Sequence, residues 1–421
     1  MKFDTLPSLC LVDETLAIRV LELHAGTRIT LKLWSSFNDV VLLSSATFIA
    51  DSSGVVDLGR QAPVSGSYQG VDAMGLFWSR APVHGDVAKG YEGKGKDPFT
   101  ATLTAETEDV SPAIARSIRR VFLGPAAVSR DVEVDGLVGQ MFEPVHQGPH
   151  SAVLVVGGSN GGLAWSQEMA ALLASHGYAA LALAYFGAEG LPPTLDRIPL
   201  EYFGTALEWM SAQPGVAAKH MAVLGVSRGG ELALLLGATY PSIRAVVAYV
   251  PSGIAWPAYP PSGHGAWTLN GTEIPYADTL SYDPGRRSSA GTNAGKFDCY
   301  LAPREDADYA AKASIPVERI NGPVLMISGA DDQLWPSSEL AEFAVRRFRQ
   351  MHFPYRVEHL RYANAGHSIG WPNGPTTMLK SKHPVSGEDM DMGGTPEGTA
   401  HARRDSWPRM LAFLQYALAD A

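Results

Sequence analysis

Residues 220–240 read HMAVLGVSRGGELALLLGATY, and this stretch decides the fold. Its first part is an almost continuous apolar run, which is typical of a strand buried on both faces. Its last part, ELALLLGATY, reads as a helix. Between the two, Ser227 stands among glycines at 225, 229 and 230. The pattern predicts a strand, a tight turn and a helix in direct succession.

The same alternation of buried strands and helices extends in both directions. Upstream strands are SAVLVVGG (151–158) and YAALALAYF (178–186), and downstream ones are IRAVVAYVP (243–251) and the strand of GPVLMISGADD (322–332). Helical segments separate them. Strands that are apolar on both faces and alternate with helices indicate a parallel sheet covered on both sides. Residues 129–421 are therefore predicted to form an α/β domain.

Residues 1–128 have a different period. AIRVLEL (17–23), RITLKLW (28–34) and FTATLTAE (99–106) alternate apolar and polar residues, as strands with one face on a core do. Turn-rich segments separate them, and no amphipathic helix stands out. These features predict a small antiparallel β-sandwich ahead of the α/β domain. At the start of the second domain, VEVDGLVGQMFEP (132–144) predicts a hairpin with Asp-Gly at its turn.

Two stretches interrupt the α/β rhythm. Residues 251–316 are rich in Pro, Gly, Trp and Tyr and are too long for a plain connection, so we expect a cap or lid there. Residues 368–399 are also irregular, and the helix RRDSWPRMLAFLQYAL (403–418) is expected to close the chain.

Composition excludes several classes of protein. The chain has 421 residues, 46% of them hydrophobic, and a formal net charge of −10. This acidity argues against nucleic acid as the main partner. Cys10 and Cys299 are the only cysteines, which argues against a disulfide framework or a structural zinc site. Acidic residues near the N-terminus and the lack of about 18 consecutive apolar residues predict a cytoplasmic protein without stable membrane insertion.

The glycine-boxed serine has the setting of a nucleophile elbow, in which a serine projects from a sharp strand-to-helix turn. A serine hydroxyl then needs a histidine as base and a carboxylate to orient that base, in this chain order: serine, acid, histidine. Asp331 and Asp332 both follow a buried strand, and the spacing from Gly329 to Pro336 favours Asp332. His367 follows the next strand in NAGHSIG. We predict Ser227, Asp332 and His367 as a catalytic triad.

Backbone N–H groups are expected to stabilise the negative oxygen of the reaction intermediate. One is that of Arg228, directly after the nucleophile, and another comes from the loop VVGGSNGGL (155–163), with Ser159 or Asn160 as donor. This loop lacks the spacing of a phosphate-binding or dinucleotide-binding loop. Glu231, in the first helical turn, is interpreted as compensating the helix dipole rather than as a further catalytic acid.

With these residues in place, the chain resembles the family of acyl-CoA thioesterases and bile acid-CoA:amino acid N-acyltransferases. The resemblance covers nearly the whole chain. It rests among others on GSYQGVDAMGLFWS (66–79), LALAYFG (181–187) with LEYF (200–203), and GGTPEGTAHARRDSWPRMLAFL (393–414). The segments MGLFWS (74–79) and AYFG (184–187) with LEYF are much more specific than the pattern around Ser227. The resemblance implies an immunoglobulin-like N-terminal sandwich joined to an α/β-hydrolase domain, and it gives Ser227, Asp332 and His367 the roles of nucleophile, acid and base.

The resemblance also implies an activity. Amidating members have cysteine as nucleophile, whereas position 227 is serine, which favours hydrolysis of acyl thioesters, with coenzyme A as part of the substrate. No metal or redox cofactor is expected. Aromatic residues of the lid are candidates to line the acyl pocket or to pack the lid: Trp256, Tyr259, Trp267 and Tyr276.

Two other functions stay open at this point. In the first, Ser227 passes the acyl group to an amine or alcohol, or closes a ring within the substrate. In the second, the fold serves a binding protein without catalysis. The acyl chain, the choice between coenzyme A and a carrier protein as donor, and the oligomeric state do not follow from the sequence.

Overall fold

The structure is a computed structural model and describes residues 1–37, 40–85, 96–108, 112–146, 148–278, 300 and 307–419. In its described part, the N-terminal region consists of short and long strands with one four-residue helix, α1 (Gly75–Trp78). The strands are β1 (Lys2–Phe3), β2 (Leu9–Leu11), β3 (Arg19–Leu21), β4 (Arg28–Phe37), β5 (Val40–Ile49), β6 (Val56–Asp57), β7 (Ser65–Gly66), β8 (Ala81–His84), β9 (Phe99–Thr107) and β10 (Ile114–Val121).

These strands form two sheets that share a core. The larger has the order β2-β10-β9-β4-β5-β7, with β8 also paired to β5, and the smaller has the order β1-β3-β6. Buried residues alternate with less buried ones along β5, as the period of two predicted. Val20 of the smaller sheet and Leu31 and Phe48 of the larger belong to one hydrophobic cluster. The expected β-sandwich is present, and its pairings are antiparallel apart from β2 with β10.

The rest of the chain alternates strands and helices. The strands are β11 (Ala127–Val134), β12 (Leu137–Pro144), β13 (His150–Val156), β14 (Ala179–Ala184), β15 (Ile198–Pro199), β16 (Val216–Val226), β17 (Ile243–Tyr249), β18 (Trp267–Leu269), β19 (Thr272–Glu273), β20 (Val324–Gly329), β21 (Val357–Tyr362), β22 (Lys380–Lys382) and β23 (Asp389–Asp391). The helices are α2 (Ala164–Ser175), α3 (Leu200–Ser211), α4 (Arg228–Thr239), α5 (Ala307–Ala313), α6 (Ser337–Gln350) and α7 (Pro396–Ala417).

The main sheet has the order β11-β12-β14-β13-β16-β17-β20-β21. Its last five pairings are parallel, as predicted, and β11 and β12 form an antiparallel hairpin at one edge. The turn of this hairpin is Asp135-Gly136, with φ of 52° and 77°, which confirms the predicted turn. The change from one sheet system to the other falls between Val121 and Ala127.

Helices cover both faces of the main sheet. Along β13, Val153 and Val155 join the hydrophobic cluster that contains residues of α2, α7 and the N-terminal sheets. Leu154 and Val156 point to the other cluster, which contains residues of α3, α4 and α6. The β-rich region therefore packs against the face of the main sheet that carries α2 and α7.

The predicted lid, 251–316, contains the short strands β18 and β19 and the helix α5, whereas its residues 279–299, including Cys299, and 301–306 lie outside the described residues. Strand β18 pairs with both β15 and β19. The closing helix begins at Pro396 and not at Arg403. Thr395 caps it, since its hydroxyl oxygen accepts a hydrogen bond from the N–H of Gly398 at 3.0 Å.

Candidate functional site

Ser227 lies on the turn between β16 and α4, at the carboxyl end of a central strand of the parallel sheet. Its φ of 58° and ψ of −121° lie in a region that residues with a side chain rarely adopt. The surrounding backbone holds this strained conformation: the N–H of Ser227 donates to the carbonyl oxygen of Tyr249 at 2.9 Å. The predicted nucleophile elbow is therefore formed.

The glycines around Ser227 allow the chain to pass closely through this turn. A Cβ atom on Gly225 would collide with the carbonyl oxygen of Gly229, and one on Gly229 would collide with that of Gly157. These positions need glycine because backbone occupies the space that a side chain would take.

The predicted acid and base are in contact. The Nδ1 atom of His367 lies 2.8 Å from Oδ2 of Asp332. The other carboxylate oxygen of Asp332 accepts hydrogen bonds from the N–H groups of Leu334 and Trp335, at 3.1 and 3.2 Å. Asp332 is 1% exposed and His367 is 8% exposed. A buried carboxylate with these partners can hold the imidazole in one orientation.

Asp331 faces away from this pair. Its side chain accepts a hydrogen bond from the amide of Gln333 at 2.9 Å, and its carbonyl oxygen accepts one from the N–H of Gly394. The two neighbouring aspartates therefore have different surroundings, and Asp332 is the one that contacts His367.

The segment before α7 joins the loops that carry the acid and the base. The N–H of His367 donates to the carbonyl oxygen of Met392 at 2.7 Å, and the N–H of Gly394 donates to that of Asp331 at 2.9 Å. Gly366 also packs against Gly393 so closely that a Cβ would collide with backbone oxygen. The sequence interpretation treated 368–399 as irregular and missed this role of residues 392–394.

The loop after β13 lies beside the nucleophile. A Cβ on Gly158 would lie 3.1 Å from Cβ of Ser227 and 3.7 Å from its hydroxyl oxygen. Ser159 follows and lines the cavity at Ser227. Arg228 is the first residue of α4. Its N–H has no acceptor within the helix, because the first N–H groups of a helix precede the internal hydrogen bonds. The positions predicted for oxyanion donors thus flank Ser227, although Asn160 is not among the residues that line the cavity.

A cavity of about 80 Å³ opens at Ser227 and His367. Its wall is formed by Ser159, Ser227, Arg228, Tyr259, Tyr300, Gln333, Leu334, Trp335, His367, His383, Glu388, Asp389 and Met390.

Of the four aromatic residues predicted to line the acyl pocket or pack the lid, Tyr259 lies on the wall of this cavity and the other three do not. Trp256 and Trp267 are 1% exposed, and their indole N–H groups donate to Ser252 at 2.8 Å and to Glu231 at 2.6 Å. Tyr276 packs beside Gly265 and donates to the carbonyl oxygen of Gly263. Trp256 and Tyr276 therefore bond within the cap, whereas Trp267 bonds the cap to α4.

Glu231, interpreted from the sequence as compensating the helix dipole, lies in the first turn of α4 and has further partners there. It is fully buried, and its Oε2 lies 2.8 Å from Nε of Arg228. Its Oε1 accepts hydrogen bonds from the backbone N–H of Trp256 at 3.1 Å and from the indole of Trp267. Burial raises the pKa of Glu231, and the charge of Arg228 opposes this rise. The pair anchors the cap to the helix that follows Ser227.

The guanidinium of Arg228 continues this network. It donates to the carbonyl oxygens of Pro257 and Trp256, at 2.9 and 3.1 Å.

The sequence interpretation missed three residues of the cavity wall that lie in or beside β22 and β23, namely His383, Glu388 and Met390. They lie in an irregular stretch whose letters carry no periodic signal.

Within the described ranges, no group of three His, Cys, Asp or Glu side chains has the arrangement of a metal site. Among the helices of the same ranges, none is long and apolar enough to span a membrane.

Comparison with known proteins adds to this geometry. Residues 198–420 match the model of the BAAT/acyl-CoA thioester hydrolase C-terminal region, and residues 13–134 match that of the acyl-CoA thioester hydrolase/BAAT N-terminal region. The chain belongs to the acyl-CoA thioester hydrolase/BAAT family. Acyl-coenzyme A thioesterase 6 of Homo sapiens, a member of this family, is 30% identical over 96% of the chain and 93% of its own length.

Acyl-transferring relatives of the family are about as similar. Acyl-coenzyme A amino acid N-acyltransferase 1 of Mus musculus is 29% identical over 100% of the chain and 99% of its own length. Among solved structures, a dienelactone hydrolase-like promiscuous phosphotriesterase from metagenomic libraries matches 70% of the chain and 100% of its own, with 21% identity and a TM-score of 0.43.

Proposed function

We propose that the protein is a serine thioesterase that hydrolyses acyl-CoA to a free acid and coenzyme A through an acyl-serine intermediate. One observation carries the proposal. Ser227 stands on a strained turn at the carboxyl end of the sheet, and it shares a cavity with a His367 that is held by buried Asp332. Membership of the acyl-CoA thioester hydrolase/BAAT family supports the choice of a thioester as substrate.

In the first half of the reaction, His367 takes the proton of Ser227 while the serine oxygen attacks the thioester carbonyl. Asp332 stabilises the imidazolium that forms. The backbone N–H groups of Arg228 and of Ser159 or Asn160 stabilise the oxyanion. The carbon–sulfur bond then breaks. Coenzyme A either leaves as the thiol, having taken the proton from His367, or leaves as its thiolate, in which case His367 loses that proton to solvent before the second half begins.

In the second half, His367 removes a proton from water, which attacks the acyl-serine and passes through a second oxyanion in the same place. Collapse of this intermediate breaks the ester bond and returns the proton to Ser227. No metal or redox cofactor enters these steps, and we propose that none is required.

A second candidate function is transfer of the acyl group to an amine, and the similarity to an amino acid N-acyltransferase favours it. Serine at position 227 favours hydrolysis, because its oxygen ester reacts with an amine less selectively than a thioester does. The two functions differ in products: incubation of acyl-CoA with glycine or taurine yields free acid alone in the first case and an amide in the second.

Release of free thiol from short, medium, long, branched and aromatic acyl-CoAs tests the proposal directly. The wild-type protein is expected to turn over at least one class, and Ser227→Ala is expected to lose nearly all of this activity. Activity that persists in the Ser227→Ala variant would contradict the proposal. If carrier-protein thioesters or simple esters react while no acyl-CoA does, then the proposal that acyl-CoA is the acyl donor is wrong.

We further propose that the protein acts in the cytoplasm. Fractionation of the native host with an antibody against the protein tests this location.

A further inference from the structure

The hydroxyl of Ser159 and the imidazole of His383 form a contact beside the nucleophile that the steps above do not use. Oγ of Ser159 lies 3.0 Å from Nε2 of His383, and both side chains line the cavity at Ser227. His383 is 3% exposed. A buried polar pair at the reacting centre has a direction, because one atom must donate and the other must accept.

The surroundings of His383 decide that direction. Its Nδ1 atom accepts hydrogen bonds from the backbone N–H groups of Val385 and Ser386, at 3.2 and 3.3 Å. A ring nitrogen that faces two N–H donors carries no proton, so the proton of the neutral imidazole is on Nε2. Nε2 therefore donates to Ser159, and the serine oxygen is the acceptor.

This direction leaves the proton of the Ser159 hydroxyl available for another acceptor. The hydroxyl lies on the cavity wall, and the residue before it, Gly158, packs directly against Ser227. Since both serines line one cavity, a carbonyl group attacked by Ser227 reacts in the space that Ser159 also lines. The donor is also strengthened, since a hydroxyl that accepts a hydrogen bond becomes a better donor itself.

We propose that the Ser159 side chain donates a hydrogen bond to the oxyanion, in addition to the backbone N–H groups, and that His383 is the positioning residue that aims it. The inference rests on the proposed function, since it concerns the same intermediate. Ser159 would then be a catalytic residue through its hydroxyl.

The fold holds His383 rigidly enough for this role. Its backbone N–H donates to the carbonyl oxygen of Glu388 at 2.8 Å, and its carbonyl oxygen accepts from the N–H of Gly387 at 2.8 Å. Its ring packs edge-on against that of Tyr259, with centroids 4.6 Å apart. The short hairpin of β22 and β23 thus delivers one oriented N–H to the loop after β13.

A merely structural contact would tether this hairpin without affecting the chemistry, and kinetics separate the two roles. For Ser159→Ala, we expect kcat to fall by about 10-fold to 1,000-fold with KM nearly unchanged, because a donor to the oxyanion acts in the transition state. Ser159→Thr keeps the hydroxyl and is expected to retain most of kcat. Ser211→Ala, which removes a serine hydroxyl from helix α3, is the matched control. Its kcat and KM are expected to match those of the wild type.

The positioning role of His383 is tested through Ser159. His383→Ala is expected to lower kcat, His383→Gln, which keeps an N–H donor, is expected to restore part of it, and Ser159→Ala/His383→Ala is expected to be no slower than the slower single variant. Additive losses in the double variant would overturn the positioning role. Ser159→Ala with kcat within twofold of wild type, or Ser159→Thr as slow as Ser159→Ala, would overturn the catalytic role.

The results that would overturn this inference differ from those that would overturn the proposed function. If wild type hydrolyses acyl-CoA and Ser227→Ala does not, then the behaviour of the Ser159 variants alone decides the inference. If Ser227→Ala retains activity, both the proposed function and the inference are overturned. Thermal unfolding of each variant identifies those that fold, and Ser159→Ala, which loses a single oxygen atom, remains the decisive variant if His383→Ala does not fold.

Discussion

Replacement of Glu231 by glutamine should strongly destabilise the part of the protein that carries the nucleophile. The carboxylate is fully buried and faces only donors: Arg228, the backbone N–H of Trp256 and the indole N–H of Trp267. Glutamine offers one acceptor oxygen and places an NH₂ group where a second acceptor is needed. It also leaves the charge of Arg228 buried without a counter-ion.

The size of the effect follows from these contacts. Removal of one partner of a buried ion pair costs about 3–5 kcal/mol, because the remaining charge stays desolvated. The loss of an acceptor for a buried N–H adds about 1–3 kcal/mol where the group finds no water. We therefore expect the free energy of unfolding of Glu231→Gln to fall by about 3–5 kcal/mol from the unpaired charge, and by about 1–3 kcal/mol more where the N–H without an acceptor finds no water.

Urea unfolding followed by tryptophan fluorescence measures this change, and a double-mutant cycle separates the pair from its surroundings. Arg228→Met removes the charge and keeps the backbone N–H. Because Arg228→Met/Glu231→Gln leaves no unpaired charge, we expect it to be more stable than the sum of the single losses predicts, by about 2 kcal/mol or more.

Two results would refute this reasoning. One is a Glu231→Gln variant within about 1 kcal/mol of wild type, a change that is typical of surface substitutions and small for a buried group. The other is strict additivity of the two single variants, which would mean that Glu231 and Arg228 do not interact energetically.

Three further predictions follow from the site and the core. Asp332→Asn should lower kcat by about 10⁴-fold, as loss of the orienting carboxylate does in other triads, whereas Asp331→Asn should stay within a few-fold; thiol-release kinetics compare the two, and equal losses would contradict the assignment. Burial raises the pKa of Glu168 to about 8, so its carboxyl binds a proton in the folded state that it releases on unfolding. The free energy of unfolding of wild type should therefore fall relative to that of Glu168→Gln as pH rises from 5 to 8, by at most about 1.4 kcal/mol per pH unit. Urea titrations at several pH values measure both free energies, and parallel plots of the two against pH would contradict this prediction. Gly229→Ala should unfold at much lower urea concentration than Gly157→Ala, since a Cβ at 229 meets backbone oxygen and one at 157 meets nothing within 4 Å; similar midpoints would contradict the close packing of the turn.

The local sequence pattern was sufficient to predict the strand, the turn and the helix around Ser227. The continuous apolar run before Ser227 and the glycines after it predicted a parallel central strand, an elbow and a helix, and all three are present. The Asp135-Gly136 turn was readable for the same reason, since positive φ at two adjacent residues favours that dipeptide. The closing helix was predicted too short because the glycines of GGTPEG concealed a start that Thr395 caps.

Side-chain environment was harder to predict. Glu231 looks like an ordinary first-turn glutamate, yet cap residues 25 and 36 positions further along the chain bury it. The tryptophans 256 and 267 look like candidates for an acyl pocket, yet the indole N–H of Trp256 donates to Ser252 within the cap and that of Trp267 donates to Glu231 of α4. These side-chain environments depend on which residues of distant segments pack together. The hydrophobic periodicity of the sequence carries no information about such contacts.

The sequence by itself determined the two sheet types, the elbow at Ser227 and the chain order of serine, acid and histidine, because these depend on periodicity and on backbone conformation over a few neighbouring residues. The spacing from Gly329 to Pro336 favoured Asp332 over Asp331, and the tertiary structure shows its contact with His367. Only the tertiary structure decided that residues 392–394 join their loops and that His383 reaches Ser159. The last pair is separated by 224 positions. Contacts of that kind arise from the packing of whole elements around a common core, and the direction of a single hydrogen bond within them depends on every donor that the packing brings near.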